Sequence, residues 1–336
     1  MARRRDSIQW PDGRKFAFTI VDDTDRATVA NTSPVYDVLY DLGLLTTKTV
    51  WPLRPNGPGH TGGHTLEDAA YRHWIEALQR HGFEIALHGV SDGPSVRDRV
   101  VEGLDFFREV TGSDPTIHAN HVGQAESLYW GRERFDQPVR WLYGATRRFR
   151  GGWPASYGHD PGSAYFWGDV CKARVTFVRN MVFPDINTLN CDPLMPYHDP
   201  RRPHVGYWFS SSHGSGIRDF CELISERNQD RLLAEGGACI VHTHLGSRFD
   251  LVGRGMPSGR MEERCVRLLR RLASLPGWFV PASVLLRHVG DQRGWQSVDG
   301  HRSSMRRSQL RWLAANAWQA GPRASRAPTV LGSHER

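Results

Sequence analysis

The chain has 336 residues, 39% of them hydrophobic, enough for one large domain or two small ones with a substantial core. Its formal charge of +7 sits at the ends: residues 1–10 carry three Arg and one Asp, residues 291–336 carry eight Arg and three acids, and the body between is neutral. Basic ends on a neutral body, with no interleaving of aromatic and basic residues in the core, argue against nucleic acid as a partner.

The opening MARRRDSIQW has charge but no apolar stretch after it, so it reads as a basic tail over 1–10 and not as a secretory signal. The first element is KFAFTIVDDTD, residues 15–25. Phe16, Phe18 and Ile20 alternate with small residues and lead through Val21 to Asp22 and Asp23, so the acids fall where a buried strand ends. Strand ends are where α/β enzymes place their chemistry. Adjacent side chains on an extended backbone point in opposite directions, so one of the pair could hold a metal while the other acts as a base. Capping of the following helix is the structural alternative.

Ser33-Pro34 then predicts a helix start, and Val35, Val38, Leu39 and Leu42 recur at helical spacing up to Gly43. A strand over 46–51 follows. Residues 54–63 are a Pro/Gly-rich loop, closed by Thr65 and Asp68, whose spacing resembles a capping box for a helix ending near His81 and Gly82. FEIALH, residues 83–88, is a short buried strand, 94–110 is helical, and PTIHANH is strand-like. This alternation of strand and helix implies a parallel sheet with helices outside, open or closed as a barrel.

Residues 131–215 are rich in Gly, Pro and aromatics and read as long loops with short strands, whose aromatics suit sugar-ring stacking or simply core filling. Alternation resumes with a helix over 228–235, a strand over 238–244, a basic amphipathic helix over 260–273, a strand over 278–280 and a helix from Pro281 to about Val289. Beyond residue 290 lies a basic C-terminal tail, 291–336, with one helix around 305–318 and a partly disordered Pro/Gly/Ser end. Five scattered cysteines without a CxxC pair point to reduced thiols and a cytoplasmic setting, and no run approaches membrane-spanning length.

Several strands end in metal-ligand types: Asp22 and Asp23, then His88, then His118, Asn120 and His121, then His242 and His244. In a parallel sheet such ends gather on one rim, and Asp and His around an open position make a catalytic divalent metal site, most often zinc. The Asp22-Asp23 strand, the strand ending in His88 and the late strand IVHTH resemble the NodB-type polysaccharide deacetylases, carbohydrate esterase family 4, over roughly residues 12–290. The resemblance implies a distorted seven-stranded (β/α) barrel over 11–290. It implies Asp22 as general base, Asp23 as metal ligand, His88 as the first His ligand and His244 as the late His that assists the leaving group.

Three departures accompany it. The family's HxxxH reads His88-Gly-Val-Ser-Asp92 here, making Asp92 the candidate third ligand, with His118 and His121 as competitors. The family's arginine-proline motif on the next strand is absent, and Thr24-Asp25 replaces the glycine after the acid pair. A literal HxxxH, His60 to His64, lies in a loop where nothing fixes the side chains. His118, Asn120, His121 and Trp167 are candidate substrate-binding residues. The expected activity is metal-dependent removal of an N-acetyl group from a saccharide or saccharide precursor. The alternatives are hydrolysis of small non-peptide amides, as in allantoinase-type members of that superfamily, and metal-free saccharide binding on a degenerate barrel.

Overall fold

The computed structural model describes residues 8–57, 59–148, 155–247, 249 and 262–319. Ten strands join one sheet: β1 (Phe16–Asp22), β2 (Thr47–Val50), β3 (Glu84–Leu87), β4 (Ile117–His118), β5 (Phe177–Phe183), β6 (Tyr197–His198), β7 (Tyr207–His213), β8 (Ala238–Thr243), β9 (Gly277–Phe279) and β10 (Gln296–Ser297). Seven of them, in the order β1, β2, β3, β4, β5, β7 and β8, pair in parallel, and β8 pairs back to β1, so the barrel closes. β9 adds to the outside of β1, and β6 and β10 extend the sheet beside β7. All seven residues of β1 are buried, as expected of a strand with the barrel interior on one face and helices on the other.

The helices pack outside: α1 (Val29–Asp41), α2 (Ala69–Arg80), α3 (Arg97–Thr111), α4 (Val139–Arg148), α5 (Gly168–Arg174), α6 (Thr188–Cys191), α7 (Ile217–Leu223), α8 (Glu226–Glu235), α9 (Glu263–Ser274), α10 (Ala282–Arg293) and α11 (Arg302–Gln319). α1 starts five residues before the Pro34 position expected from the sequence. Thr28 and Asn31 form a reciprocal capping box there, each side chain accepting from the other's backbone N–H, and this fixes the helix start ahead of the proline. At α2 only part of the expected box forms. The Asp68 carboxylate accepts from the Thr65 N–H at 2.9 Å, and the helix begins one residue later.

The largest difference from the sequence reading is in the middle of the chain. FVRNMVF and YWFSSSH, in the stretch read as loops and short strands, are the seven-residue barrel strands β5 and β7. Their pairing slips by one residue between Arg179 and Val182, a bulge of the kind that re-aims a side chain near a site. The C-terminal region also differs. α11 is not part of a loose tail: Met305, Gln309 and Trp312 are buried, and the helix packs on α4 and β5. The expected disorder beyond it falls on residues outside those described. At the other end, Trp10 is buried against Trp278 and His288, so the N-terminal tail gives way to packed structure before residue 11.

Candidate active site

The C-terminal ends of β1, β3, β4, β5 and β8 meet at one mouth of the barrel, over a pocket of about 300 Å³. Its lining includes Asp23, Asp25, His88, His121, Arg179, His242 and His244. Asp22 is not among them. It is fully buried on the opposite side of the strand, 2.9 Å from Lys48 Nζ on β2. Its other partners are the Tyr36 hydroxyl of α1, which donates at 3.0 Å, and the Leu245 N–H, which donates at 2.7 Å. The alternation of an extended backbone therefore separates the adjacent acids, and Asp22, expected as the base, faces the layer between barrel and helices.

Asp25 joins Asp23 at the mouth from a turn just past the strand end, closed by the Ala27 N–H donating to the Thr24 carbonyl at 2.9 Å. Arg179 reaches across the barrel from β5 and grips Asp23 with both terminal nitrogens, Nη1 donating to Oδ1 at 2.8 Å and Nη2 to Oδ2. Burial alone would push the Asp23 carboxyl up. The Arg179 guanidinium outweighs it, with His88 and a hydrogen bond from His242 acting in the same direction, and holds the group well below the usual carboxylate range. The arginine missing from the strand where the resemblance placed it is thus supplied from the next strand round. Nothing in the FVRNMVF segment marks it in advance, because its role depends on barrel closure and the bulge.

Asp25 lies among three rings. Its Oδ1 is 3.3 Å from His88 Nε2 and 3.4 Å from His121 Nε2, and its Oδ2 is 3.6 Å from His244 Nε2. Burial, which raises its pKa, is overcome by His121 and His88, and the net shift is downward. His121 moves up: burial opposes its charged form, but Asp25 beside it prevails. Ligand atoms ~2.0–2.1 Å from a tetrahedral zinc stand roughly 3.3 Å apart, so one carboxylate oxygen and two imidazole nitrogens at these separations fit such an ion. Trp51 backs His88, its ring stacked at 6.2 Å and its indole N–H donating to the His88 carbonyl. Gly89 turns the chain immediately after His88 with φ +88, and a Cβ there would lie 2.7 Å from Gln124 Oε1.

His121, rather than Asp92, is the residue that groups with Asp25 and His88. The Asp92 carboxylate instead accepts the N–H groups of Thr61 and Gly62 at 2.8 and 2.7 Å, which ties the Pro/Gly-rich loop down beside the site. His60 from that loop stacks on His121 and groups with Asp92, while His64 packs on Tyr71, so the literal HxxxH does not converge.

His242 and His244 both line the pocket. His242 Nε2 lies 3.1 Å from Asp23, and burial with the nearby Arg179 pushes its pKa down to about 3, so the ring is neutral. His244 Nδ1 is 2.9 Å from the Ser215 carbonyl, which makes that nitrogen the donor and leaves Nε2 directed at Asp25. Asn120 lines the pocket too, but its amide is committed to both backbone groups of Leu128. His118 and Trp167 do not line it. They border a separate cavity of about 10 Å³, where the buried Trp167 indole donates to the Glu126 carbonyl at 2.7 Å and its ring meets His118 edge-on.

The remaining wall is built by residues the sequence reading did not single out: Trp130, Arg134, Tyr143, and Trp312 and Asn316 of α11. Asp25 was visible to the sequence reading only as part of the replacement for the glycine after the acid pair. The others required the tertiary packing.

A closed parallel barrel with its site at the C-terminal mouth defines the class: a (β/α) barrel. It is like a Mycobacterium smegmatis protein assigned as a polysaccharide deacetylase, with TM-score 0.50, 13% identity, and coverage of 85% of this chain and 94% of that one. It is also like Puue allantoinase, with TM-score 0.48, 13% identity and coverage of 88% and 100%. No family profile matches the sequence, and neither does any curated protein. The fold is thus a distorted seven-stranded (β/α) barrel like that of the Mycobacterium smegmatis structure.

Proposed function

We propose that this chain is a divergent NodB-like hydrolase that uses a divalent metal, with zinc the best fit, to cleave the amide of an N-acyl compound. The observation that carries the reading is the Asp25, His88 and His121 cluster, whose ligand atoms lie within 4.8 Å of one another, beside a carboxylate, Asp23, fixed by Arg179. This moves the base from Asp22 to Asp23 and the carboxylate ligand from Asp23 to Asp25, with His88 and His121 as the other ligands.

Asp25, His88 and His121 would hold a divalent metal, which when bound would supply polarisation of an acyl oxygen and acidification of water. Asp23, ionised and locked in orientation by the arginine, accepts the proton of the attacking water. Arg179 keeps the negative charge of Asp23 compensated while leaving its carboxylate on the pocket wall. His244 as imidazolium, anchored through Nδ1–H on the Ser215 carbonyl, would pass the Nε2 proton to the departing amine and be left neutral.

A saccharide or saccharide precursor fits the deacetylase-like fold. The size of the pocket favours a second form of the same reading, a small non-peptide amide, because about 300 Å³ is the low end for small-molecule sites and α11 roofs it. A single sugar unit or a comparable small amide suits that space better than a polymer chain. Five buried free cysteines agree with a reducing, cytoplasmic setting.

The test is acetate release from N-acetylhexosamines and ammonia or amine release from small amides and ureides, with protein loaded with zinc. Asp23→Asn is expected to lower kcat by about 10²–10⁴-fold with metal retained. Turnover at the wild-type rate in Asp23→Asn would contradict the assignment of the base.

A further inference from the structure

The turn that carries Asp25 and the turn that carries His244 are distant in sequence, yet one side chain joins them. Asn31 lies in the first turn of α1, where its Oδ1 accepts the Thr28 N–H at 2.8 Å and completes the capping box. The cap uses only that acceptor. The amide nitrogen is surplus to it, and Nδ2 donates to the Arg26 carbonyl at 2.9 Å and to the Gly246 carbonyl at 3.1 Å. Arg26 directly follows Asp25, and Gly246 stands just past His244.

The two turns also meet backbone to backbone. A Cβ at Gly246 would lie 2.7 Å from the Ala27 Cα and 2.8 Å from the Ala27 nitrogen, so the approach requires glycine. The Leu245 N–H, between His244 and Gly246, donates to Asp22 Oδ1 at 2.7 Å. Arg26 itself stands at φ +60, a left-handed conformation that a residue with a side chain keeps only where its surroundings hold it. The Asn31 amide holds its carbonyl, and the Gly62 carbonyl accepts its N–H at 2.7 Å. Asp25 thus precedes a strained residue whose N–H and carbonyl are both tied, and its Oδ2 comes to 3.6 Å from His244 Nε2.

We propose that Asn31 is a positioning residue, whose amide clamps the Asp25 turn to the His244 turn and so fixes the carboxylate ligand against the proton donor. The inference rests on the hydrolase reading for the roles of Asp25 and His244, but not for the clamp, which stands on the hydrogen bonds themselves. Groups that orient a metal ligand in this way are typically worth about 10–100-fold in metal affinity.

Two substitutions separate clamp from cap. Asn31→Asp keeps an acceptor for the Thr28 N–H and places an acid in the first helical turn, which the helix dipole favours, but it removes both donors. Thr28→Ala removes the hydroxyl that accepts the Asn31 N–H and leaves the Asn31 amide in place. Asn31→Ala, which loses cap and clamp without adding charge, shows whether the new carboxylate matters. Each protein is followed by thermal melts, by hydrogen–deuterium exchange read by mass spectrometry, and by titration with cobalt(II) chloride after chelator treatment, read from the visible absorption of the bound ion.

In Asn31→Asp, exchange is expected to rise by about tenfold or more at residues 26–27 and 245–247 together, with residues 33–41 of α1 unchanged. Cobalt affinity is expected to fall by about 10–100-fold in Asn31→Asp and in Asn31→Ala alike. Thr28→Ala is expected to melt at a lower temperature with cobalt affinity and the exchange of both turns unchanged. Unchanged exchange at the turns, or faster exchange in only one of them or in α1 alone, would overturn the clamp. Turns that loosen together without loss of cobalt affinity would overturn the positioning role, as would an equal loss of affinity in Thr28→Ala. A wild type that binds no cobalt contradicts the metal reading instead, and the exchange data then decide the clamp.

Discussion

Two buried ion pairs stand back to back at the end of β1. Asp22 and Lys48 are sealed between the barrel and its helices, both fully inaccessible, with the Tyr36 hydroxyl completing the shell. Asp23 and Arg179 are almost as buried but form part of the wall of a pocket, among histidines with room for a ligand. Their chemistry is nearly the same, so a buried carboxylate with a cation marks neither structure nor catalysis by itself. Access and the company of unsaturated ligand groups separate the two, and the parity of a strand decides which acid receives which surroundings.

The sharpest way to break this comparison is to remove the inner acid. Asp25→Ala is expected to lose bound metal and on the order of 10³-fold in kcat/KM, in line with the several kcal/mol that a metal contributes to such a reaction. The fold should persist, as seen in the circular dichroism and melting curve. Removing the outer acid should do the reverse. Asp22→Asn leaves Lys48 buried without its counter-charge and is expected to cost about 3–5 kcal/mol of stability in denaturant titration, with metal content unchanged. Replacing both members, Asp22→Leu with Lys48→Met, should recover most of that loss, since a buried pair exchanged for apolar groups is often near neutral.

A third buried acid sharpens the contrast by lacking a cation. Glu126, beside the small cavity with His118 and Trp167, makes no ion pair among the described residues, and burial raises its pKa to about 7. In the folded protein it therefore keeps a proton that the unfolded chain releases near pH 4.5. The stability this contributes is complete below about pH 4.5 and is lost as pH rises through about 7, by at most roughly 3 kcal/mol. Glu126→Gln should flatten that part of the stability profile and gain relative to the wild type at pH 8. An unchanged slope in thermal melts across this range would refute it.

How far the sequence reveals this architecture differs by region for physical reasons. β1, β3, α3 and α8 are legible because apolar periodicity and glycine caps such as Gly112 and Gly236 coincide there. β5 and β7 are not, since Arg179, Asn180 and the three serines of YWFSSSH put polar groups on buried strand positions and erase the pattern. α11 is legible as a helix, yet its docking through Trp312 is a tertiary fact. At the site, the convergence of Asp23, His88, His121 and His244 follows from strand ends alone. Asp25 was hidden because it lies past the end of β1, in a turn closed by the Ala27 N–H donating to the Thr24 carbonyl, where strand alternation is no guide.

The most direct test of this assignment is the metal content of the purified wild type and of Asp25→Ala and Asp22→Asn, measured side by side by elemental analysis. The assignment predicts about one divalent metal per chain in the wild type and in Asp22→Asn, and none in Asp25→Ala. A full complement of metal in Asp25→Ala, or its loss in a folded Asp22→Asn, would contradict it and return the metal to the acid pair as the resemblance first placed it.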